Sequence, residues 1–189
     1  MTFRIPSAPQ AVDARDGPGH DALKFGGMHR GFPPIAHADA RLLILGSLPG
    51  RASLAAGRYY AHPRNAFWPI VGGLFGFDPA APYETRVAAL LRARVAVWDV
   101  CAAAVRPGSL DAAIAPASVL PNDFAAFFAA HPAIARVAFN GAAAATLYRR
   151  HRLPATGREF VRLPSTSPAH AALDVAAKRR AWANALLGT

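Results

Sequence analysis

The side chains best suited to chemistry in this chain of 189 residues lie in three polar segments, each of which follows an apolar run. The first joins a GSLPG turn at 46–50 to the segment YYAHPRNAFW at 59–68. The second is the pair Asn140-Gly141, and the third is LPSTSPAH at 163–170. Aromatic rings can stack on nucleobases, amides can read base edges, and hydroxyl groups can contact phosphates. Together these residue types indicate a nucleic-acid ligand.

Two interpretations stay open for the first segment. Tyr59 and Tyr60 lie in a loop, where a ring can stack on a base, whereas Phe67 and Trp68 open a helical pattern and are expected in the core. Asn65 precedes that helix, so it is either the helix N-cap or a functional amide.

The other two segments also have plain structural readings. Asn140 either adopts a left-handed turn, as Asn-Gly often does, or presents its amide to a base edge. The three hydroxyl residues at 165–167 form either a Ser-Pro turn or a loop that contacts phosphates. His170 is expected at the surface or against a phosphate, because nothing in the sequence fixes a partner for it.

Several other chemistries find little support in the sequence. GSLPG lacks the Lys and Ser/Thr of a P-loop and the three glycines of the dinucleotide fingerprint, which favours a plain turn over a cofactor cradle. No G-x-S-x-G elbow is present, and Cys101, with no activating neighbour, is expected to be a buried thiol. The seven histidines show no paired ligand spacing, so we expect neither a metal nor a cofactor.

The net charge of +10, from 21 Lys and Arg against 11 Asp and Glu, favours a polyanionic partner. An Arg-rich composition bias is the alternative. No apolar run reaches the roughly 18 residues of a membrane span. The first 25 residues lack the apolar core of a signal peptide, and a lone cysteine agrees with a reducing compartment, so a cytoplasmic location is expected.

Apolar runs alternate with helical patterns along most of the chain, which predicts an α/β fold: a three-layer αβα domain around a mostly parallel four-stranded sheet. Residues 1–27 are expected to form a mobile arm and 28–189 a single domain. Strands are predicted at 41–46, 95–100, 134–139 and 160–163, and helices at 65–75, 83–93, 141–151 and 174–187, with another helix capped by Asn122 or Asp123 before the third strand. The polar segments follow the strands, so we expect them to converge on one sheet edge.

The motifs GSLPG, YYAHPRNAFW, FNG and LPSTSPAH, in that order, resemble the uracil-DNA glycosylase superfamily, and within it the hypoxanthine-DNA glycosylase family most of all. The similarity runs from about residue 31 to residue 187. Two positions depart from the superfamily pattern. The water-activating Asp or Asn of the first turn is replaced by Ser47-Leu48, as in the hypoxanthine branch, and the His that opens the last motif is replaced by Leu163.

The resemblance implies a role for each matching residue. Tyr60 would stack on the flipped base, Asn65 would be catalytic, and Asn140 would hydrogen-bond the base. Ser47 and Leu48 would form part of the base pocket. The residues expected to contact DNA are His62, Arg64, Ser165, Thr166, Ser167 and His170.

The function expected from this resemblance is base-excision repair by a monomeric glycosylase that releases hypoxanthine, uracil or both from single- or double-stranded DNA. Lys24 and Lys178 lie outside the polar segments, so strand-nicking lyase activity is not expected. Because Leu48 replaces the usual polar catalyst, a non-catalytic protein that binds lesions or abasic sites is the alternative. A small-molecule enzyme on a doubly wound fold is a third hypothesis.

Overall fold

A parallel sheet of four strands forms the centre of the fold in the computed structural model, which describes residues 27–151, 153–155 and 157–188. In chain order the strands of the molecule are β1 (Met28–Arg30), β2 (Leu42–Gly46), β3 (Val95–Asp99), β4 (Cys101–Val105), β5 (Leu120–Pro121), β6 (Arg136–Asn140) and β7 (Glu159–Leu163). The central sheet has the order β3-β2-β6-β7, and each neighbouring pair is parallel. The predicted strands and the parallel sheet are therefore confirmed, with ends that differ by one or two residues.

Helices cover both faces of this sheet. They are α1 (Arg51–Ala56), α2 (Phe67–Phe75), α3 (Tyr83–Arg92), α4 (Phe124–Ala130), α5 (Ala142–Arg150) and α6 (Val175–Leu187). Trp98 of β3 packs against Phe124 of α4, and Phe139 of β6 packs against Tyr148 of α5, on a single face. In a separate aromatic cluster, Phe67 of α2 contacts Trp182 of α6. A sheet buried on both sides explains why the strands are continuous apolar runs.

A small antiparallel sheet, β1-β4-β5, was not foreseen. No strand was predicted directly after the central strand at 95–100, but β4 begins two residues after Asp99. Its sequence, CAAAV, is rich in alanine, which has little preference for strands. Pairing with β1 and β5 fixes it in the extended state. The short helix α1 was also not predicted.

Side-chain caps define the starts of two helices. Asp123 accepts a hydrogen bond from the Ala126 amide at the start of α4. Asp174 does the same for Ala177 at the start of α6. Asn122, the other candidate cap, instead donates to the carbonyl oxygen of Asp99 at 2.8 Å. The sequence therefore predicted the N-cap of α4 to within one residue. The side-chain amide of Asn122 holds the end of β3 in place instead.

The four central strands end side by side. Gly46 pairs with Asp99, and Asn140 pairs with Leu163, so the last residues of all four strands lie along one edge. The segments that follow these strands carry the polar motifs. This arrangement confirms the expected convergence and creates the cleft described below.

The predicted N-terminal arm falls outside the described residues, apart from Gly27. Among the helices that the structure describes, none has both the length and the apolar character required to cross a bilayer.

Gly141 joins β6 to α5 with a φ of 103°, and a Cβ there would lie 2.9 Å from Cβ of Ser165. We expect Gly141→Ala to lower the free energy of unfolding by about 1–3 kcal/mol, because it adds a steric clash to an unfavourable backbone conformation. Gly57→Ala is the matched control, since Gly57 also has a positive φ but no atom within 4 Å of the added methyl. Equal urea midpoints for the two variants would contradict this account of the junction.

Candidate functional site

A cleft of about 390 Å³ lies at the carboxyl edge of the parallel sheet. Segments that follow all four central strands contribute to its lining. The predicted site residues among its lining residues are Ser47, Leu48, Tyr60, His62, Asn65, Asn140, Ser165, Thr166, Ser167 and His170. Arg64 is exposed and is not among them. Ten of the eleven predicted residues are therefore brought to one place.

The GSLPG turn is held by a buried arginine that sequence reasoning did not select. Arg106 is fully buried, and its guanidinium donates to the carbonyl oxygens of Leu48 and Pro49. Asp111 lies 3.7 Å from the same guanidinium and accepts a 2.6 Å hydrogen bond from the hydroxyl of Ser47. The leucine side chain of this turn is 5% exposed and lines the cleft. The turn is thus fixed through its backbone and Ser47.

The two tyrosines have different surroundings. Tyr59 is buried, and its hydroxyl donates to the carbonyl oxygens of Phe32 and Pro33, so it anchors the loop to the core. Tyr60 lines the cleft and stacks on Phe67, with ring centroids 3.8 Å apart and planes 16° apart. Its φ of 54° is unusual for a bulky residue. Backbone strain of this kind is tolerated where the surrounding packing fixes a ring in place.

The N-cap of α2 is Ala66, so Asn65 lies one residue before the cap, and its functional role stays a prediction. Its side-chain oxygen accepts a 2.9 Å hydrogen bond from the amide of Phe67, at the start of α2. Its Nδ2 makes no hydrogen bond within the described ranges, and the residue lines the cleft. The helix start therefore orients the amide, and the donor side of the amide remains available to a ligand.

Asn140 binds Thr166 through both ends of its amide. Its Nδ2 donates to the threonine hydroxyl at 2.8 Å, and its Oδ1 accepts from the threonine backbone N–H at 2.9 Å. Thr166 leaves one N–H and one lone pair of this amide unused. The left-handed turn considered for Asn140 is instead made by Gly141.

The loop at 164–170 is held from three sides. The carbonyl of Thr166 accepts from the amide of Ala66, and that of Pro164 accepts from the indole of Trp182. Lys178, buried in α6, donates to the carbonyls of Ser167 and His170. A lysine outside the motif in sequence therefore positions the motif in space.

The residues predicted to contact DNA differ in their exposure. His62, Ser165, Ser167 and His170 are partly exposed at the cleft, and Arg64 is open to solvent. Thr166 is only 1% exposed, and Asn140 engages its hydroxyl, so the structure gives this residue an internal bracing role. Its contact with DNA stays a prediction.

Asp99 is a buried acid of the cleft that sequence reasoning missed. It ends β3, it lines the cleft and it is 4% exposed. Its Oδ2 has no hydrogen-bond partner among the described residues. Burial, together with the nearby charge of Asp111, raises the pKa of Asp99 to about 7, and Arg106 opposes that rise. The signal that could have identified Asp99 is its position at the end of a buried strand, where it pairs with Gly46 of the neighbouring strand.

Comparison with known proteins agrees with this geometry. The model of the uracil DNA glycosylase superfamily matches residues 33–186. The chain belongs to this superfamily. Hypoxanthine DNA glycosylase of Methanosarcina barkeri is 38% identical over 113 residues, which cover 59% of this chain and 70% of that protein. The protein of the same name from Methanosarcina acetivorans is 35% identical over 142 residues, 75% of this chain and 87% of that protein.

A solved structure has the same fold. It is a solution NMR structure from Methanosarcina acetivorans, provisionally described as a uracil DNA glycosylase. It is 32% identical in sequence, has a TM-score of 0.67, and covers 82% of this chain and 96% of that one. The resemblance inferred from the motifs is thereby confirmed.

As a member of the uracil DNA glycosylase superfamily, the chain is a DNA glycosylase, an enzyme that hydrolyses N-glycosidic bonds in DNA. The described ranges contain no group of three or more His, Cys, Asp or Glu side chains that could hold a metal ion. Amide, hydroxyl, phenol, carboxyl and imidazole groups line the cleft.

The raised pKa of Asp99 makes the stability of this glycosylase depend on pH. An acid whose pKa is higher in the folded state stabilises the fold fully below its ordinary pKa of 3.8, and loses that contribution as the pH rises through about 7. We expect the native protein to lose stability between about pH 5 and about pH 8, and Asp99→Asn to lose less. Urea unfolding at both pH values measures this, and an equal loss in both proteins would contradict the burial of the carboxyl.

Proposed function

We propose that this enzyme releases hypoxanthine from DNA as the first step of base-excision repair. The observation that carries the proposal is the convergence of Tyr60, Asn65 and Asn140 on one cleft at the sheet edge. Its volume lies in the range of pockets that enclose small organic ligands. The names of the two Methanosarcina relatives support hypoxanthine as the base. Uracil is the second base to test.

In the proposed reaction the damaged nucleotide turns out of the DNA stack and its base enters the cleft. Turning out costs a few kcal/mol, and less for a mispaired base such as hypoxanthine opposite thymine. The ring of Tyr60, supported by Phe67, stacks on the base, and the remaining N–H of Asn140 donates to its edge. The backbone N–H groups of Ser47 and Leu48 make no hydrogen bond among the described residues, so they are further donors at the same wall.

Asn65 would hold the attacking water. A neutral amide is a weak base, so its contribution comes from positioning the water against the sugar as the glycosidic bond breaks. The hydrogen bond from the Phe67 amide fixes the orientation of the Asn65 side chain before substrate binds. This removes part of the entropic cost of aligning the water.

The enzyme is proposed to be monofunctional. A lyase needs a free amine that attacks the sugar, and the sequence holds two lysines, Lys24 and Lys178. The amine of Lys178 donates to two carbonyl oxygens of the 164–170 loop, and this residue is not part of the cleft lining. Lys24 lies outside the described residues.

The direct test is single-turnover incubation with duplexes carrying hypoxanthine, uracil, xanthine or thymine opposite each normal base. We expect hypoxanthine release that leaves alkali-labile sites, with intact strands before alkali treatment. Binding to the damaged duplex without alkali-labile sites would instead support the lesion-binding alternative. Strand cleavage before alkali would contradict the monofunctional assignment.

Replacing Asn65 separates its two roles. We expect Asn65→Ala to reduce single-turnover excision by at least about a hundredfold, because the water loses its positioning group. Asn65→Ser is the matched variant, since its hydroxyl can still accept from the helix start while the amide N–H groups are lost. It should be nearly as slow as Asn65→Ala but close to native stability. Native rates in either variant would contradict the role of Asn65.

A further inference from the structure

Two buried polar atoms on residues that line the cleft have no hydrogen-bond partner within the described residues. They are Oδ2 of Asp99 and the hydroxyl oxygen of Tyr60. A buried polar group without a partner is costly, and natural proteins retain such groups mainly where a ligand or a reaction uses them. The two atoms therefore indicate a function for Asp99, which belongs to none of the motifs.

The carboxyl and the phenol flank the backbone of Gly46. A Cβ added at this glycine would lie 2.2 Å from Oδ1 of Asp99 and 3.2 Å from the hydroxyl of Tyr60. Only the absence of a side chain at Gly46 lets the carboxyl occupy this place. The same tyrosine is proposed to stack on the base, so the carboxyl stands beside the base rather than at the rim of the cleft.

Burial and the charged groups around Asp99 let its carboxyl keep its proton in a substantial fraction of the molecules near neutral pH. Asp111 opposes its ionisation, and Arg106 favours it, but that guanidinium is engaged by two carbonyl oxygens and by Asp111. The other titratable groups facing it are the phenols of Tyr59 and Tyr60 and the thiol of Cys101. Burial raises the pKa of all three, so they stay neutral.

We propose that Asp99 is a second catalytic residue, which donates its carboxyl proton to a ring nitrogen of the departing purine. The inference rests on the proposed release of hypoxanthine. As the bond between C1′ of the sugar and the base nitrogen breaks, its electron pair moves into the purine, and the proton of Asp99 neutralises the charge. Water then bonds to C1′ and gives up a proton, which restores the carboxyl. The products are neutral hypoxanthine and an abasic site.

A proton donor at this position also favours purines over pyrimidines. A departing uracil carries its charge on oxygen atoms that N–H donors can stabilise without proton transfer. A departing purine gains more from protonation of a ring nitrogen. The carboxyl of Asp99 thus takes over part of the chemical role left open by Leu48 in the first turn, and it does so for a particular class of base.

The test compares the native enzyme with Asp99→Asn on an inosine duplex under single-turnover conditions, between about pH 5 and about pH 9. The amide preserves the shape and the polarity of the carboxyl but has no transferable proton. We expect excision to slow by about 10²–10⁴-fold at neutral pH. The native rate should fall as the pH rises above about 7, and the rate of the variant should lose this dependence. Asp123→Asn is the matched control, because Asn caps a helix as well as Asp does.

The outcomes separate this inference from the proposed function. If the native enzyme releases no base, the proposed function fails. If the native enzyme releases hypoxanthine but its rate stays level or rises from about pH 7 to about pH 9, the role of Asp99 is overturned whether or not the variant folds. Native rates or a native pH profile in Asp99→Asn would overturn it too. Affinity for an abasic duplex should match that of Asp123→Asn, and its loss in Asp99→Asn would show a structural role instead.

Discussion

The burial of one carboxyl at the end of β3 is the constraint around which the cleft is built. Among the described residues, the carboxyl of Asp99 has no cation that is paired with it alone, because Arg106 is held by the first turn and by Asp111. Moving an ionised carboxylate out of water without a dedicated partner is so costly that the group takes up a proton instead. The side chain also occupies the space beside Gly46. One buried acid thereby determines both the shape and the charge of the wall that the base would meet.

The rest of the cleft depends on backbone groups that side chains hold in place. Asn140 uses its amide to fasten Thr166, and the carbonyl of Thr166 accepts from Ala66 next to Asn65. Lys178 fixes the far end of the same loop. The bonds of Thr166 link segments that are far apart in sequence, so the site is assembled by the fold rather than by any one motif. Such bracing would keep the proposed catalytic groups aligned before substrate binds, and a neutral amide needs this alignment to be effective.

Local patterns foretold the parts of this structure that local physics controls. Apolar runs located the central strands, and the strand ends located the polar segments, because parallel strands share one carboxyl edge. The residues that were missed owe their roles to tertiary contacts. Arg106 and Lys178 look like surface cations in a basic sequence, yet both are buried against carbonyl oxygens. Asp99 reads as the polar end of a strand, and the alanine-rich β4 becomes a strand only by pairing.

The central claim is that the cleft presents to the base a carboxyl that titrates near neutral pH, so that it can still hold a proton there. The most direct measurement is an NMR titration of the side-chain carboxyl carbon of Asp99 in the native protein, with Asp99→Asn used to assign the signal. This account expects the titration midpoint near a pKa of about 7. A midpoint near the ordinary aspartate value of 3.8 would mean that the carboxyl is charged at neutral pH, and it would contradict the account.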